Sequence, residues 1–207
     1  LDLGHEPGTF KNIVAKSFYM DDFYYSGPST ADVLEVAGRV AAVLSKRHFN
    51  LTKWMSNTTA VVQTWPVAER ANALKLFGQE IEAPLPTVKA LGVAWDCTDD
   101  SFTFHCRNLH LPVTTVVKVL SVLASVFDPL GIVGPYVLAG KQVFQKMWER
   151  TAPRWNAPVP PEYLADWSAW VAGLPQVASL HVPRWFGFPE GVDVILHVFA
   201  DASIKGY

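Results

Sequence analysis

The sequence predicts a mixed α/β fold of the α+β class, in which short β-hairpins precede a group of helices and a final strand follows them. Two hydrophobic patterns support this prediction. Residues 12–25 and 91–106 contain short apolar runs that turn-forming residues interrupt, as is typical of hairpins. Residues 30–48 and 114–171 repeat apolar residues every three or four positions, which is the spacing of amphipathic helices. A β-branched run at residues 192–200 supplies the final strand.

Two adjacent carboxylates, Asp21 and Asp22, lie between aromatic residues in the first half of the chain. The apolar residues 12–15 before them and the aromatic residues 23–25 after them predict the arms of a β-hairpin, with both carboxylates partly exposed near its tip. Two anions held this close repel each other unless a cation lies between them, and Mg²⁺ prefers carboxylate oxygens. The pair is therefore a candidate site for Mg²⁺ or Mn²⁺. The alternative is a hairpin turn with two solvated acids.

A loop, a helix and a second short strand are predicted around this hairpin. Residues 1–11 are rich in turn formers and are expected to form the loop. Ser29 fits the N-cap of the helix that follows the hairpin. Residues 51–55 alternate as a strand does, and Lys53 is either a contact for nucleic-acid phosphate or a solvated lysine. A short helix is then predicted over residues 68–77.

The second half begins with another predicted hairpin. Apolar residues alternate from Leu91 to Trp95 and again from Phe102 to Cys106, with Asp99 and Asp100 in an exposed turn between them. This pattern places one aromatic face in the interior.

Three helices and a strand are predicted after this hairpin. Thr114 is expected to cap the first helix, which Asp128-Pro129 ends because the residue before a proline avoids the helical conformation. The second helix opens at Pro135 and the third at about Glu162. Their aromatic stripes are assigned to a hydrophobic core and not to base stacking. The run at residues 192–200 should form a strand that ends in Asp201.

Length, charge and cysteine content limit the possible classes of protein. A chain of 207 residues, half of them hydrophobic, can form one large or two small domains and is not globally disordered. The net charge of −2 is unusual for a nucleic-acid-binding protein, in which basic residues normally exceed acidic ones. Two cysteines without a signal peptide indicate reduced thiols. No apolar run approaches the roughly 20 residues of a membrane span. Leu1 and Tyr207 both look like cuts from a longer chain.

Several phrases of the sequence resemble one family. Tyr19-Met20-Asp21-Asp22 is similar to the Y-x-D-D signature of reverse transcriptases. Residues 49–57 and 91–96 resemble phrases that follow this signature in the pol polyprotein of BEL/Pao-type long-terminal-repeat retrotransposons. Residues 121–131 resemble the signature of the region usually labelled Pao retrotransposon peptidase, and Asp201-Ala202-Ser203 resembles the first catalytic strand of ribonuclease H.

The resemblance implies a layout and a set of functional residues. Residues 1–110 would be the end of the reverse transcriptase palm and the following hairpin, residues 111–190 a helical Pao-type thumb or connection region, and residues 191–207 the start of a ribonuclease H-like domain. The catalytic and metal-binding residues would be Asp21, Asp22 and Asp201, and the contacts to substrate or nucleic acid would be Tyr19, Met20 and Lys53.

The resemblance also implies the partners. They would be an RNA or DNA template-primer, deoxynucleoside triphosphates and the rest of the pol polyprotein, without a membrane. The location would be intracellular, in the cytoplasm within a virus-like particle or in the nucleus. The family has a further palm aspartate in an earlier segment, so the chain alone is expected to be inactive.

Two other functions stay open at this point. The first is an aspartic peptidase, which needs two carboxylates, each usually in an Asp-Thr-Gly or Asp-Ser-Gly turn. The sequence contains neither turn, and residues 128–131 are the nearest approach. The second is a domesticated, non-catalytic interaction module.

Overall fold

In a computed structural model, the chain divides after Pro86 into two units, Leu1–Pro86 and Thr87–Tyr207, and each unit contains its own hydrophobic core. The structure describes residues 8–75, 81, 84–106, 113–151, 154–188 and 192–199. Helices and strands both contribute to it, which confirms the predicted mixed class.

The described residues of the first unit form four helices and one small hairpin. The helices are α1 (Gly8–Ser17), α2 (Thr30–Ser45), α3 (Thr59–Gln63) and α4 (Asn72–Lys75), and the hairpin strands are β1 (Phe18–Tyr19) and β2 (Asp22–Phe23). A 3-10 turn at Val67–Glu69 precedes α4. The core of this unit forms where α1 packs on α2, and its buried residues are Phe10, Val14, Val36, Val40 and Leu44.

The prediction for residues 8–15 was wrong, because they form helix α1 and not a loop followed by a strand. Phe10, Val14 and Ser17 are buried, and the residues between them are not. That spacing follows the helical period of 3.6 and not the period of 2 that a strand requires. These residues therefore form a helix because a helix packs Phe10 and Val14 against the apolar side chains of α2.

Helix α2 confirms the predicted cap. The Ser29 side chain accepts a hydrogen bond from the Asp32 backbone N–H at 3.2 Å, and Ser29 itself has an extended backbone. The helix ends at Ser45, three residues before the predicted limit.

The predicted strand at residues 51–55 is not formed. Trp54 makes a single parallel bridge to Arg70, and Lys53 has a φ of 62°, which is incompatible with a strand. The Trp54 ring instead stacks on Trp65 with centroids 3.8 Å apart. The stacking of this aromatic pair determines the backbone conformation of residues 51–55. Their weak alternation of apolar and polar residues does not determine it. Helix α4 lies within the predicted residues 68–77, and the 3-10 turn before it begins at Val67, so two short elements replace the one predicted helix.

The second unit begins with an antiparallel sheet of four strands in the order β3-β4-β5-β6. The strands are β3 (Thr87–Ala90), β4 (Val93–Asp96), β5 (Ser101–Thr103) and β6 (His181–Pro183). Pairing of β4 with β5 confirms the predicted hairpin and its turn at Asp99 and Asp100. Leu91 does not belong to a strand, because it occupies the β3–β4 turn with a φ of 51°. The sequence pattern also missed β6, which joins the sheet from a distant part of the chain.

The other described residues of this unit include four helices. They are α5 (Val116–Leu123), α6 (Gly134–Arg150), α7 (Leu164–Ala172) and α8 (Leu174–Ala178). Pro135 lies in the first turn of α6, as predicted. Trp167, Trp170 and Met147 lie in the core between these helices. No helix among the described residues is both long and apolar enough to cross a membrane.

Two other predictions for this unit were wrong. Helix α5 begins after Thr115, and it ends at Leu123 and not at Phe127. Residues 192–199 form no regular secondary structure and are exposed, so the strand predicted there is not formed. A strand needs a neighbour to pair with its backbone groups, and no described strand lies beside this run. Asp201 lies outside the described residues.

Candidate functional site

The acidic hairpin is stabilised at its base by aromatic rings. Phe18 pairs with Phe23 across β1 and β2, and their ring centroids lie 5.2 Å apart. Both rings pack against the core formed by α1 and α2. Tyr19 pairs with Asp22, which leaves Met20 and Asp21 as a two-residue loop. The apolar base therefore holds the polar tip in the solvent, and Asp21 and Asp22 are both exposed, as the sequence predicts.

The tip of the hairpin has an unfavourable backbone conformation. Met20 has a φ of 54°, and its side chain is 87% exposed. A two-residue hairpin loop with positive φ at its first position normally has glycine there. Side chains in this region cost about 1–3 kcal/mol, and such residues are concentrated at functional sites. The positive φ of Met20 thus supports a functional role for the two carboxylates that follow it.

Two tyrosines that follow the hairpin donate hydrogen bonds to carboxylates. Tyr25 donates from its hydroxyl to Asp32 Oδ2 at 2.7 Å, and burial together with this bond raises the pKa of Tyr25 to about 12. Tyr25 thereby connects the hairpin to α2. Tyr24 donates to Asp22 Oδ2 at 3.1 Å and restricts the orientation of that carboxylate. The remaining carboxylate oxygens of the tip can serve as ligands for a hard cation.

The segment that contains Lys53 lies at the base of the same hairpin. Trp54, the next residue, packs edge-on against Phe23 of β2 with ring centroids 6.5 Å apart. The Lys53 side chain is exposed. Of the residues that the sequence singles out, the structure therefore places Tyr19, Met20, Asp21 and Asp22 on one hairpin and Lys53 in the segment that packs against it.

A second group of potential ligands lies in the other unit. Asp96, Asp99 and His181 each place one ligand atom within 4.8 Å of the others. Asp99 Oδ2 lies 3.0 Å from His181 Nδ1, and the Ser101 hydroxyl donates to Asp99 Oδ1 at 2.6 Å. The hydrogen bonds from Ser101 and His181 lower the pKa of Asp99. The arrangement works as a hydrogen-bonded contact between the β4–β5 turn and β6, and its ligand atoms are also of the types that a divalent cation accepts.

Asp100 reinforces this contact. The Arg184 guanidinium donates to both Asp100 oxygens at 2.7 and 2.8 Å, and the Trp95 indole N–H donates to Oδ1 at 2.9 Å. Burial alone would raise the pKa of Asp100, but the bonds from Arg184 and Trp95 outweigh it and lower the pKa. The sequence pattern identified the turn but not these partners. His181 and Arg184 lie more than 80 residues further along the chain, and no local signal connects them to the turn.

Asp128 begins the segment that is most similar to a peptidase motif, and its carboxylate accepts hydrogen bonds from the backbone. Its two oxygens accept from the backbone N–H groups of Ile132 and Val133 at 3.0 and 2.8 Å. It thus stabilises the turn that leads into α6. Cys97 and Cys106 are free thiols, and burial raises the pKa of Cys97 to about 12. Neither feature suggests a nucleophile or an acid for catalysis.

Comparison with known proteins identifies part of the chain. The chain matches no curated protein and no solved structure at a significant level. Residues 115–207 match the model of a family described as the Pao retrotransposon-like RNaseH-like domain. The match begins at α5 and covers the helices of the second unit and the run that precedes Asp201. It agrees with the resemblance found in the sequence and supports a Pao-type retrotransposon pol region for residues 115–207.

Proposed function

We propose that this chain is the part of a retrotransposon pol polyprotein in which the catalytic carboxylates of an RNA-directed DNA polymerase precede the ribonuclease H region. The exposed pair Asp21 and Asp22 on the β1–β2 hairpin is the observation that supports the polymerase assignment best. The hairpin has a rigid aromatic base and an open acidic tip. That is the arrangement a site needs if it must hold charged ligands without burying its own carboxylates.

The residues of the tip fit a divalent cation. Asp21 and Asp22 offer only oxygen ligands, which Mg²⁺ and Mn²⁺ accept, and two adjacent side chains leave coordination positions for water and substrate phosphate. When bound, such a cation would neutralise charge on the phosphates during nucleotidyl transfer. The Tyr24 hydroxyl would orient the Asp22 carboxylate. Tyr19 and Met20, exposed on the same tip, are suited to contact the nucleic acid, and Lys53 is suited to contact a phosphate.

The ribonuclease H part of the proposal depends on the family match. The match extends to residue 207 and therefore includes Asp201, which we propose as a metal-binding carboxylate of that site. Two adjacent carboxylates in the first unit and one in this region do not complete either site. The isolated chain is accordingly expected to catalyse neither reaction.

Primer extension tests the polymerase assignment. A longer pol protein that includes the upstream palm segment should extend a primer with Mg²⁺, and Asp21→Asn should lower its rate at least about a hundredfold because the substitution removes a ligand charge. Asp166→Asn is the matched control, since Asp166 is an exposed aspartate on α7. Its rate should equal that of the wild type.

Different results would support the other functions. Equal rates for the wild type and Asp21→Asn would exclude Asp21 as a metal ligand. An extended protein with no polymerase activity at all would favour the non-catalytic interaction module. Nothing in the described residues supports a peptidase, because the Asp128 oxygens bind the backbone of the following turn.

A further inference from the structure

The tryptophans of the second unit differ widely in exposure, which the sequence does not predict. Trp167 and Trp170 are 3% and 6% exposed and belong to the core. Trp155 is 50% exposed, although it contacts another ring. A half-exposed tryptophan that does not fill a core presents an aromatic face to whatever binds there.

Trp155 is the exposed end of a row of three rings. Its centroid lies 4.2 Å from that of Trp148, and the Trp148 centroid lies 6.1 Å from that of Phe144. Phe144 and Trp148 lie one turn apart on α6, and Trp155 follows the helix. The Trp155 backbone is fixed as well, because its carbonyl oxygen accepts a hydrogen bond from the Val117 N–H at 2.9 Å. The row is therefore held in place before any ligand arrives.

Basic side chains lie at both ends of this row. Lys141 is seven residues before Trp148, which places it on the same face of α6, about 10 Å along the helix axis. Arg154 directly precedes Trp155. Both side chains are exposed, and neither forms an ion pair with any described residue. We call the set of Lys141, Phe144, Trp148, Arg154 and Trp155 the tryptophan edge.

Of the two acids nearest to this edge in sequence, Glu162 pairs with a cation, while Glu149 is hydrogen-bonded to a neutral amide and keeps its charge. Glu162 pairs with Arg150 at 3.5 Å, and Glu149 accepts a hydrogen bond from Gln145 at 3.3 Å. The edge thus combines aromatic faces with unpaired positive charge in a protein whose net charge is −2. A hydrophobic protein partner would not need the charges, and a duplex would not offer the faces of its bases, because they are stacked on one another.

From this geometry we propose that the tryptophan edge binds single-stranded nucleic acid. Bases stack on Trp155 and extend the existing row of rings, while Lys141 and Arg154 contact the phosphates on either side. The site belongs to the second unit and uses neither Asp21 nor Asp22. It deepens the proposed function by assigning a strand-binding surface to the pol region, and it is testable without any catalytic activity.

Fluorescence anisotropy of labelled 20-nucleotide oligo-dT and oligo-U tests the proposal with the full chain in EDTA. Stacking on an aromatic side chain is worth about 1–3 kcal/mol per base, so Trp155→Ala should weaken binding about fivefold or more. Trp155→Phe keeps an aromatic face and should restore most of the affinity. Lys141→Glu should also weaken binding, while Lys75→Glu, at an exposed lysine of the first unit, should change it much less.

Trp185→Ala is the matched control, because Trp185 is 60% exposed and lies outside the edge. Its affinity should equal that of the wild type, and thermal unfolding should show that both alanine variants are folded. Unchanged binding by Trp155→Ala would overturn the proposal, as would equally tight binding of duplex DNA. Loss of self-association in Trp155→Ala without a change in nucleic-acid affinity would also overturn it and would assign the edge to a second copy of the chain. Since EDTA removes divalent cations, none of these results depends on metal binding by Asp21 and Asp22.

Discussion

At the scale of single residues, backbone conformation and close packing restrict which residue type a few positions accept. Met20 adopts a positive φ directly before the two carboxylates, although glycine would adopt it without strain. Gly140 is the opposite case, since a side chain there would collide with a neighbour. A Cβ atom at this position would lie 2.5 Å from Trp170 Cε2. Both positions lead to stability predictions with opposite signs.

Met20→Gly should stabilise the first unit by about 1 kcal/mol, because it removes the cost of a side chain at positive φ. The side chain is almost fully exposed, so little burial is lost. Urea denaturation of the wild type and the variant provides the measurement. A lower midpoint for the variant would show that Met20 makes a stabilising contact that offsets the strain.

Gly140→Ala should destabilise the second unit by about 1–3 kcal/mol through overpacking. Trp170 cannot move away easily, because its indole N–H donates to the Tyr136 carbonyl at 2.9 Å and the Tyr136 hydroxyl donates to the Trp170 carbonyl. Gly134→Ala in the same helix is the control, since no atom lies within 4 Å of its added Cβ. Similar unfolding midpoints for the two variants would contradict the prediction.

At the scale of secondary-structure elements, polar side-chain contacts join β6 to the rest of its sheet. Strand β6 has only three residues, and its ladder to β5 supplies few hydrogen bonds. The contacts Asp99–His181 and Asp100–Arg184 lie at the β4–β5 turn and at either end of β6. Short strands of this kind depend on such side-chain contacts for their position.

These contacts should make the stability of the second unit depend on pH. The pKa values of Asp99 and Asp100 are lowered in the folded state, so their contribution is complete above the unfolded value of about 3.9 and is lost as the pH falls below it. Asp100→Asn should cost about 1–2 kcal/mol at pH 7, and its difference from the wild type should shrink at pH 3. Urea midpoints at both pH values provide the test, with Asp166→Asn as a control. A difference that persists at pH 3 would show that the charge of Asp100 is not the cause.

At the scale of the whole molecule, the two candidate sites lie in different units with separate cores. The acidic hairpin is built on the core of α1 and α2, and the tryptophan edge on the core of α5 to α8. The net charge of −2 provides no general attraction to nucleic acid. The proposed binding to nucleic acid therefore relies on a local surface with few phosphate contacts.

The salt dependence of binding should therefore be shallow. Two or three phosphate contacts give a slope of about −1.4 to −2.1 in a plot of log K against log salt concentration for a single strand. An increase from about 50 to 200 mM NaCl should weaken oligo-dT binding about seven- to twentyfold. The measurement repeats the anisotropy titration at several salt concentrations. A slope several times steeper would indicate a larger basic surface than the tryptophan edge.

The sequence alone determined the features that depend on a few neighbouring residues. The turn at Asp21 and Asp22, the Ser29 cap and the start of α6 at Pro135 follow from side chains that act on their own backbone. The family match also agrees with phrases that were recognisable in the sequence. The metal-binding and nucleic-acid-binding roles assigned to Tyr19, Met20, Asp21, Asp22, Lys53 and Asp201 stay predictions.

Only the tertiary structure decided the features that depend on distant partners. Residues 12–15 are helical because α2 buries Phe10 and Val14, and a short apolar run alone does not distinguish a helix from a strand. Residues 192–199 show the converse, since a strand pattern without a paired neighbour forms no strand. Asp99 and Asp100 find their partners more than 80 residues away. The difference between Trp170 and Trp155 has the same origin, because burial is a property of the packed chain and not of the residue.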